Sequence, residues 1–141
     1  MVTVARYFWR LLLVVWTSPW TLLGIGVGLL GLVSGGRGRR NGGTLEFYGG
    51  AVTWCLDHFP GTPFAMTLGH TILGRSLAAL DVSRTHELVH VRQYELWGPL
   101  FIPAYLLCSL QLWWIGKDPY LDNPFEREAY AIDGLEELDG I

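Results

Sequence analysis

The chain has 141 residues, the length of one domain. Half of them are hydrophobic and only 16% are charged, against about 25% in an average soluble domain. That composition and a net charge of −3 exclude general disorder and argue for no nucleic acid among the partners.

Charge is unevenly placed. Residues 1–40 hold five arginines (Arg6, Arg10, Arg37, Arg39, Arg40) and no acid, whereas residues 118–141 hold eight acids and one arginine, Arg127. The basic end borders the most apolar stretch, as in membrane proteins. Residues 11–36 contain no charge, and about 20 apolar residues suffice to cross a bilayer. Residues 1–36 therefore read as a membrane anchor. Pro19 predicts either a kinked helix or a re-entrant hairpin bent at that point.

Residues 37–43, RGRRNGG, read as a basic, Gly-rich linker. Residues 44–132 then form one domain. TLEFY and AVTWCLDHF flank Gly49-Gly50 and predict a β-hairpin. FAMTLGHTIL, residues 64–73, predicts a third strand. Residues 84–97 predict a helix capped by Ser83 and ended by Gly98-Pro99. Residues 98–116 are a second uncharged run, and Asn123-Pro124 opens a closing helix. Residues 133–141 read as an acidic, solvated tail. Cys55 and Cys108 fit no zinc or redox spacing and read as small buried hydrophobes.

The chemistry lies in His86-Glu87-Leu88-Val89-His90, an H-E-x-x-H pattern. Four residues make about one helical turn, so both imidazoles reach one Zn²⁺ from the same face. Glu87 then sits beside the open metal position, where it can take a proton from a bound water. The competing reading is an amphipathic helix whose two histidines merely face inward. A catalytic zinc takes three protein ligands, and Glu126 and Glu128 lie downstream, on opposite sides of one helix.

Here the sequence resembles the gluzincin zinc peptidases, whose third ligand is the Glu of an E-x-x-A-D-like motif. Glu126-Arg127-Glu128-Ala129-Tyr130 matches it, with Tyr130 in place of the Asp. The resemblance makes Glu126 the ligand and Glu87 the catalytic base. Residues 64–131 also resemble a family of short bacterial membrane-associated proteins of minigluzincin type. The shared segments are Gly69-His70-Thr71-Ile72-Leu73-Gly74, His86 to Glu95, Gly98 to Tyr105 and Asn123 to Tyr130. That likeness implies an α+β fold with a minimal zincin-like domain. Its parts are a small antiparallel sheet, the H-E-x-x-H helix and a C-terminal ligand helix.

His70 shares a strand face with Leu68 and Ile72, so it reads either as a substrate contact beside the site or as a core histidine. Tyr130, Tyr120 and Tyr105 are candidate oxyanion donors. Gln93, one turn beyond His90, reads as a site-edge residue or a buried structural amide.

Topology adds a constraint. A membrane crossing by residues 98–116 would part His86 and His90 from Glu126, whereas a metal bond is about 2 Å long. The run is therefore expected to lie in the plane of the membrane or to insert partly, packed against the catalytic helix. Pro99, Pro103, Trp97, Trp113 and Trp114 fit that placement.

The sequence thus predicts a membrane-anchored zinc metallopeptidase acting on a peptide or protein substrate. The alternative is a non-catalytic subunit of a larger bacterial membrane complex. Arginine placement predicts a cytoplasm-facing domain on the bacterial inner membrane.

Overall fold

The computed structural model describes residues 2–139, with side chains over 3–134. In chain order it forms α1 (Val2–Val33), β1 (Arg37–Asn41), β2 (Thr44–Tyr48), α2 (Ala51–His58), β3 (Ala65–Leu68) and β4 (Thr71–Gly74). These are followed by α3 (Leu77–Trp97), a 3₁₀ turn (Gly98–Leu100), α4 (Phe101–Trp114) and α5 (Pro124–Asp139). The fold is α+β. The sheet runs in the order β1-β2-β4-β3 and is mixed, not purely antiparallel: β2 pairs with β4 in parallel, and both outer pairings are antiparallel.

Period-2 alternation gives the sheet two unlike faces. Phe47, Leu68 and Leu73 point to one face, where Val52 and Leu56 of α2 and Val27 of α1 cover them. Ala65 and Ile72 point to the other face, where Leu80 and Val91 of α3 cover them. The long apolar helix and the H-E-x-x-H helix therefore lie on opposite sides of one sheet.

Helix α1 is continuous through Pro19, so no re-entrant hairpin forms. Proline has no N–H for the Val15 carbonyl, and the Ser18 hydroxyl donates to that oxygen instead at 2.7 Å. Residues 17–33 also pack on the domain. Gly24, Gly28 and Gly31 form a buried stripe against Thr71, Phe47 and Val52, and a Cβ at any of the three would overlap those side chains. Before Thr17 the helix is exposed nearly all round, with Val4, Phe8, Trp9, Leu11 and Val15 uncovered.

Four other expectations change. Residues 37–43 are a strand and a Gly42-Gly43 turn rather than a linker, because Arg39 pairs with Glu46 across the β1–β2 ladder. Residues 51–58 are helical, since Val52 and Leu56, four apart, bury together on the sheet. Residues 64–73 hold two strands, folded at Gly69-His70. Helix α3 starts at Leu77, not near residue 84, with the Ser76 hydroxyl accepting from the Ala79 N–H at 3.1 Å. Both cysteines are free and half-buried. The tail beyond 134 lies outside the described side chains, although the α5 backbone runs to Asp139.

Two helical stretches, Thr3–Val33 and Leu77–Trp114, are long and apolar enough to cross a membrane by length and composition. Within the second, α4 does not carry the chain away. The Ser109 hydroxyl donates to the Pro119 carbonyl at 2.8 Å, and the Asn123 amide donates to the Tyr105 carbonyl at 3.1 Å. The chain after Trp114 thus folds back along α4 and returns α5 to α3.

Candidate metal centre

Helix α3 presents His86 and His90 on one buried face, one turn apart, with their Nε2 atoms separated by 3.2 Å. Helix α5 supplies the acid. At its start the Asn123 side chain accepts from the Phe125 N–H at 3.0 Å, and Pro124 occupies the first helical position, where its missing N–H costs nothing. This start sets Glu126 Oε2 3.1 Å from His86 Nε2 and 3.4 Å from His90 Nε2. Glu128 points elsewhere and accepts from the Gln93 amide at 2.8 Å.

Three buried donor atoms therefore converge, and the group could hold a metal ion. A tetrahedral zinc with bonds of about 2.0–2.1 Å separates its ligand atoms by about 3.3 Å. The observed 3.1, 3.2 and 3.4 Å match that spacing. Two histidines and one carboxylate are also a known donor set for catalytic zinc.

Neighbouring groups orient two of the three donor side chains. The Gln93 amide nitrogen donates to the Phe125 carbonyl at 3.0 Å, so its oxygen faces His90 Nδ1 at 2.8 Å. His90 thus carries its proton on Nδ1 and keeps the Nε2 lone pair for a metal. The Tyr105 hydroxyl donates to Glu126 Oε1 at 2.7 Å, leaving Oε2 toward the histidines. Against the upward push of burial, the adjacent His86 and His90 rings and the Tyr105 hydroxyl hold the Glu126 carboxyl down at about 2. His86 differs: its Nδ1 is buried without a partner, and the Tyr130 ring lies against it at 4.5 Å between centroids.

Glu87 is buried beside this group. The Thr67 hydroxyl, on edge strand β3, donates to its Oε2 at 2.6 Å, and Tyr94 holds the Thr67 carbonyl at 3.0 Å. Burial pushes the Glu87 carboxyl up, opposed by the nearby His90, the Thr67 hydroxyl and His86.

The structure thus brings together His86, His90 and Glu126, with Glu87 and Tyr130 adjacent. His70 does not join them. It sits in the β3–β4 turn, where strand alternation no longer sets its direction. Its Nδ1 lies 3.0 Å from the Thr17 hydroxyl of α1 and its Nε2 2.9 Å from Glu95 of α3. The Tyr130 hydroxyl pairs with that of Tyr120 at 3.2 Å. Thr67 carries no sequence signal, since nothing in AMTL marks a partner for Glu87. Tyr105 stands out in the sequence only as one tyrosine among three.

No family model, no curated protein and no solved structure matches this chain.

Proposed function

We propose that the protein is a membrane-anchored zinc metallopeptidase that hydrolyses a peptide bond. The observation that carries this reading is the convergence of His86, His90 and Glu126 at zinc-ligand spacing, with a buried carboxylate, Glu87, on the next residue of the same helix. Bound there, zinc would supply Lewis acidity, polarising the scissile carbonyl and making water easier to deprotonate.

The chain's own residues do the rest. Glu87 takes the proton of the attacking water and passes it to the leaving amine. Thr67 occupies Glu87 Oε2, which leaves Oε1 to accept the proton. Burial makes the protonated form accessible, as a group acting first as base and then as acid requires. Gln93 and Tyr105 keep the ligand atoms aimed.

In this reading α1 is the anchor, in the inner membrane of a bacterium. In the same reading, three arginines just after α1 against two near its start favour a cytoplasmic side for the domain. A second reading, a non-catalytic subunit of a membrane complex, is favoured by one feature. Leu22, Leu23, Leu29, Leu30 and Val33 leave the outer side of α1 uncovered.

Glu87→Gln separates the two. The amide is nearly isosteric and cannot accept a proton. The peptidase reading expects zinc to be kept and hydrolysis of a reconstituted polypeptide to be lost. Equal turnover by both forms contradicts it.

A further inference from the structure

Helix α4 has two faces with different neighbours. Its inner face is part of the metal centre: the Phe101 ring lies 6.4 Å from that of His90, and the Tyr105 hydroxyl binds Glu126. Its outer face is uncovered and, apart from Gln111, apolar. Leu106, Leu107 and Leu110 are exposed, and Trp113 and Trp114 are 65% and 81% exposed. No charged residue lies between 98 and 116.

The start of α4 is joined to α1. The Trp16 ring fills the space beside Gly98, which has φ 55° and room for no Cβ, and the Trp20 indole donates to the Pro99 carbonyl at 3.2 Å. Trp97 is at the same junction. Tryptophans gather at the headgroup level of membranes, with their rings half in hydrocarbon. From this belt the exposed first half of α1 extends, uncharged over residues 11–15 and carrying Arg10 and Arg6 further out, and α4 leaves. An uncharged, Trp-ended face beside an exposed, mostly apolar helix has the chemistry of a surface that meets lipid.

We propose that α4 is a wall shared by the bilayer and the metal centre, and that the substrate is a membrane-tethered polypeptide cut close to the lipid surface. A helix with its side chains is about 10–12 Å thick, so the three donor atoms sit about that far from lipid. The part of α4 from Phe101 to Trp114 is about 21 Å long, short of the roughly 30 Å hydrocarbon core, so it lies along the surface and does not cross. A chain emerging from the same bilayer meets the site within its first few residues. A free soluble peptide has no such delivery. The substrate class rests on the peptidase reading; the depth of α4 does not.

Two measurements test this on the full chain in vesicles of phosphatidylethanolamine and phosphatidylglycerol. First, a nitroxide is placed by Leu110→Cys in a Cys55→Ser, Cys108→Ser background. Relaxation dominated by oxygen rather than by a water-soluble nickel chelate is expected, and the reverse overturns the shared wall. Second, single-span polypeptides with a randomised segment outside the bilayer are co-reconstituted, and their cut positions are mapped by mass spectrometry. Cuts are expected within the first ~10 residues from the membrane, at least tenfold faster than in the same segment without its span. Leu107→Lys with Leu110→Lys, which touches no site residue, should erase that preference with zinc content unchanged. Equal cutting of tethered and free segments overturns the proposal. Cutting of neither overturns the peptidase reading and the substrate class together, while the nitroxide result stands by itself.

Discussion

Tyr105 and Glu126 come from different helices, and their hydrogen bond of 2.7 Å assigns the two carboxylate oxygens different jobs. Oε1 is held by the phenol on α4, and Oε2 faces His86 and His90. Partners of this kind usually govern metal affinity about 10–100-fold. Tyr105→Phe is therefore expected to fold and to weaken zinc binding by that factor in a competition titration against a chelator. An unchanged affinity would show that Glu126 needs no partner to aim it.

Thr67 stands to Glu87 as Tyr105 stands to Glu126, but the residue it orients is the proposed base rather than a proposed ligand. Thr67→Val keeps the shape of the side chain and removes the donor. Zinc content should stay at the wild-type level while kcat falls about tenfold or more, because a misaimed base costs rate. A fall in zinc content instead would place Thr67 among the metal's supports.

His70 is expected to matter for stability and not for metal. Its ring joins Thr17, which is fully buried in α1, to Glu95 on α3, while its backbone N–H donates to the Thr21 hydroxyl at 3.0 Å. His70→Ala removes the two ring hydrogen bonds that tie α1 to α3, each worth about 0.5–1.5 kcal/mol. Denaturant unfolding in detergent should read that loss, with zinc affinity unaltered. Lost zinc with full stability would return His70 to the site.

How much of the molecule is legible in the sequence follows from the range of each signal. H-E-x-x-H is local, and its geometry comes from one helical turn, so His86, Glu87 and His90 stand out directly. Glu126 is reached only through a resemblance, because nothing local separates it from Glu128. The structure separates them through Asn123, which fixes the first turn of α5, and Gln93, which takes Glu128. Strand preference gives way where tertiary packing overrides it. Val52, Thr53 and Trp54 favour strands, yet Val52 and Leu56 bury as a helical pair. RGRRN resembles a linker because its partner is the buried Glu46, which binds Arg39 and Arg84 from two other elements. Such a pairing leaves no mark in either segment alone.

The glycine stripe on α1 gives a packing prediction. Gly28 lies against the Phe47 ring so closely that an added methyl group has no room. Gly28→Ala should cost about 1–3 kcal/mol, as overpacking does. Gly26, with open space around it, should tolerate alanine. Equal tolerance at both positions in unfolding experiments would mean that α1 does not sit on the sheet as described.

In the proposed function, His86, His90 and Glu126 hold one zinc. The most direct measurement is the zinc content of the purified full chain, combined with X-ray absorption at the zinc edge. One zinc per chain is expected in the wild type and in Glu87→Gln, with imidazole and carboxylate ligands at about 2.0–2.2 Å. Loss of that zinc is expected in His86→Ala and Glu126→Gln. Zinc retained in full by both of those variants would contradict the proposal.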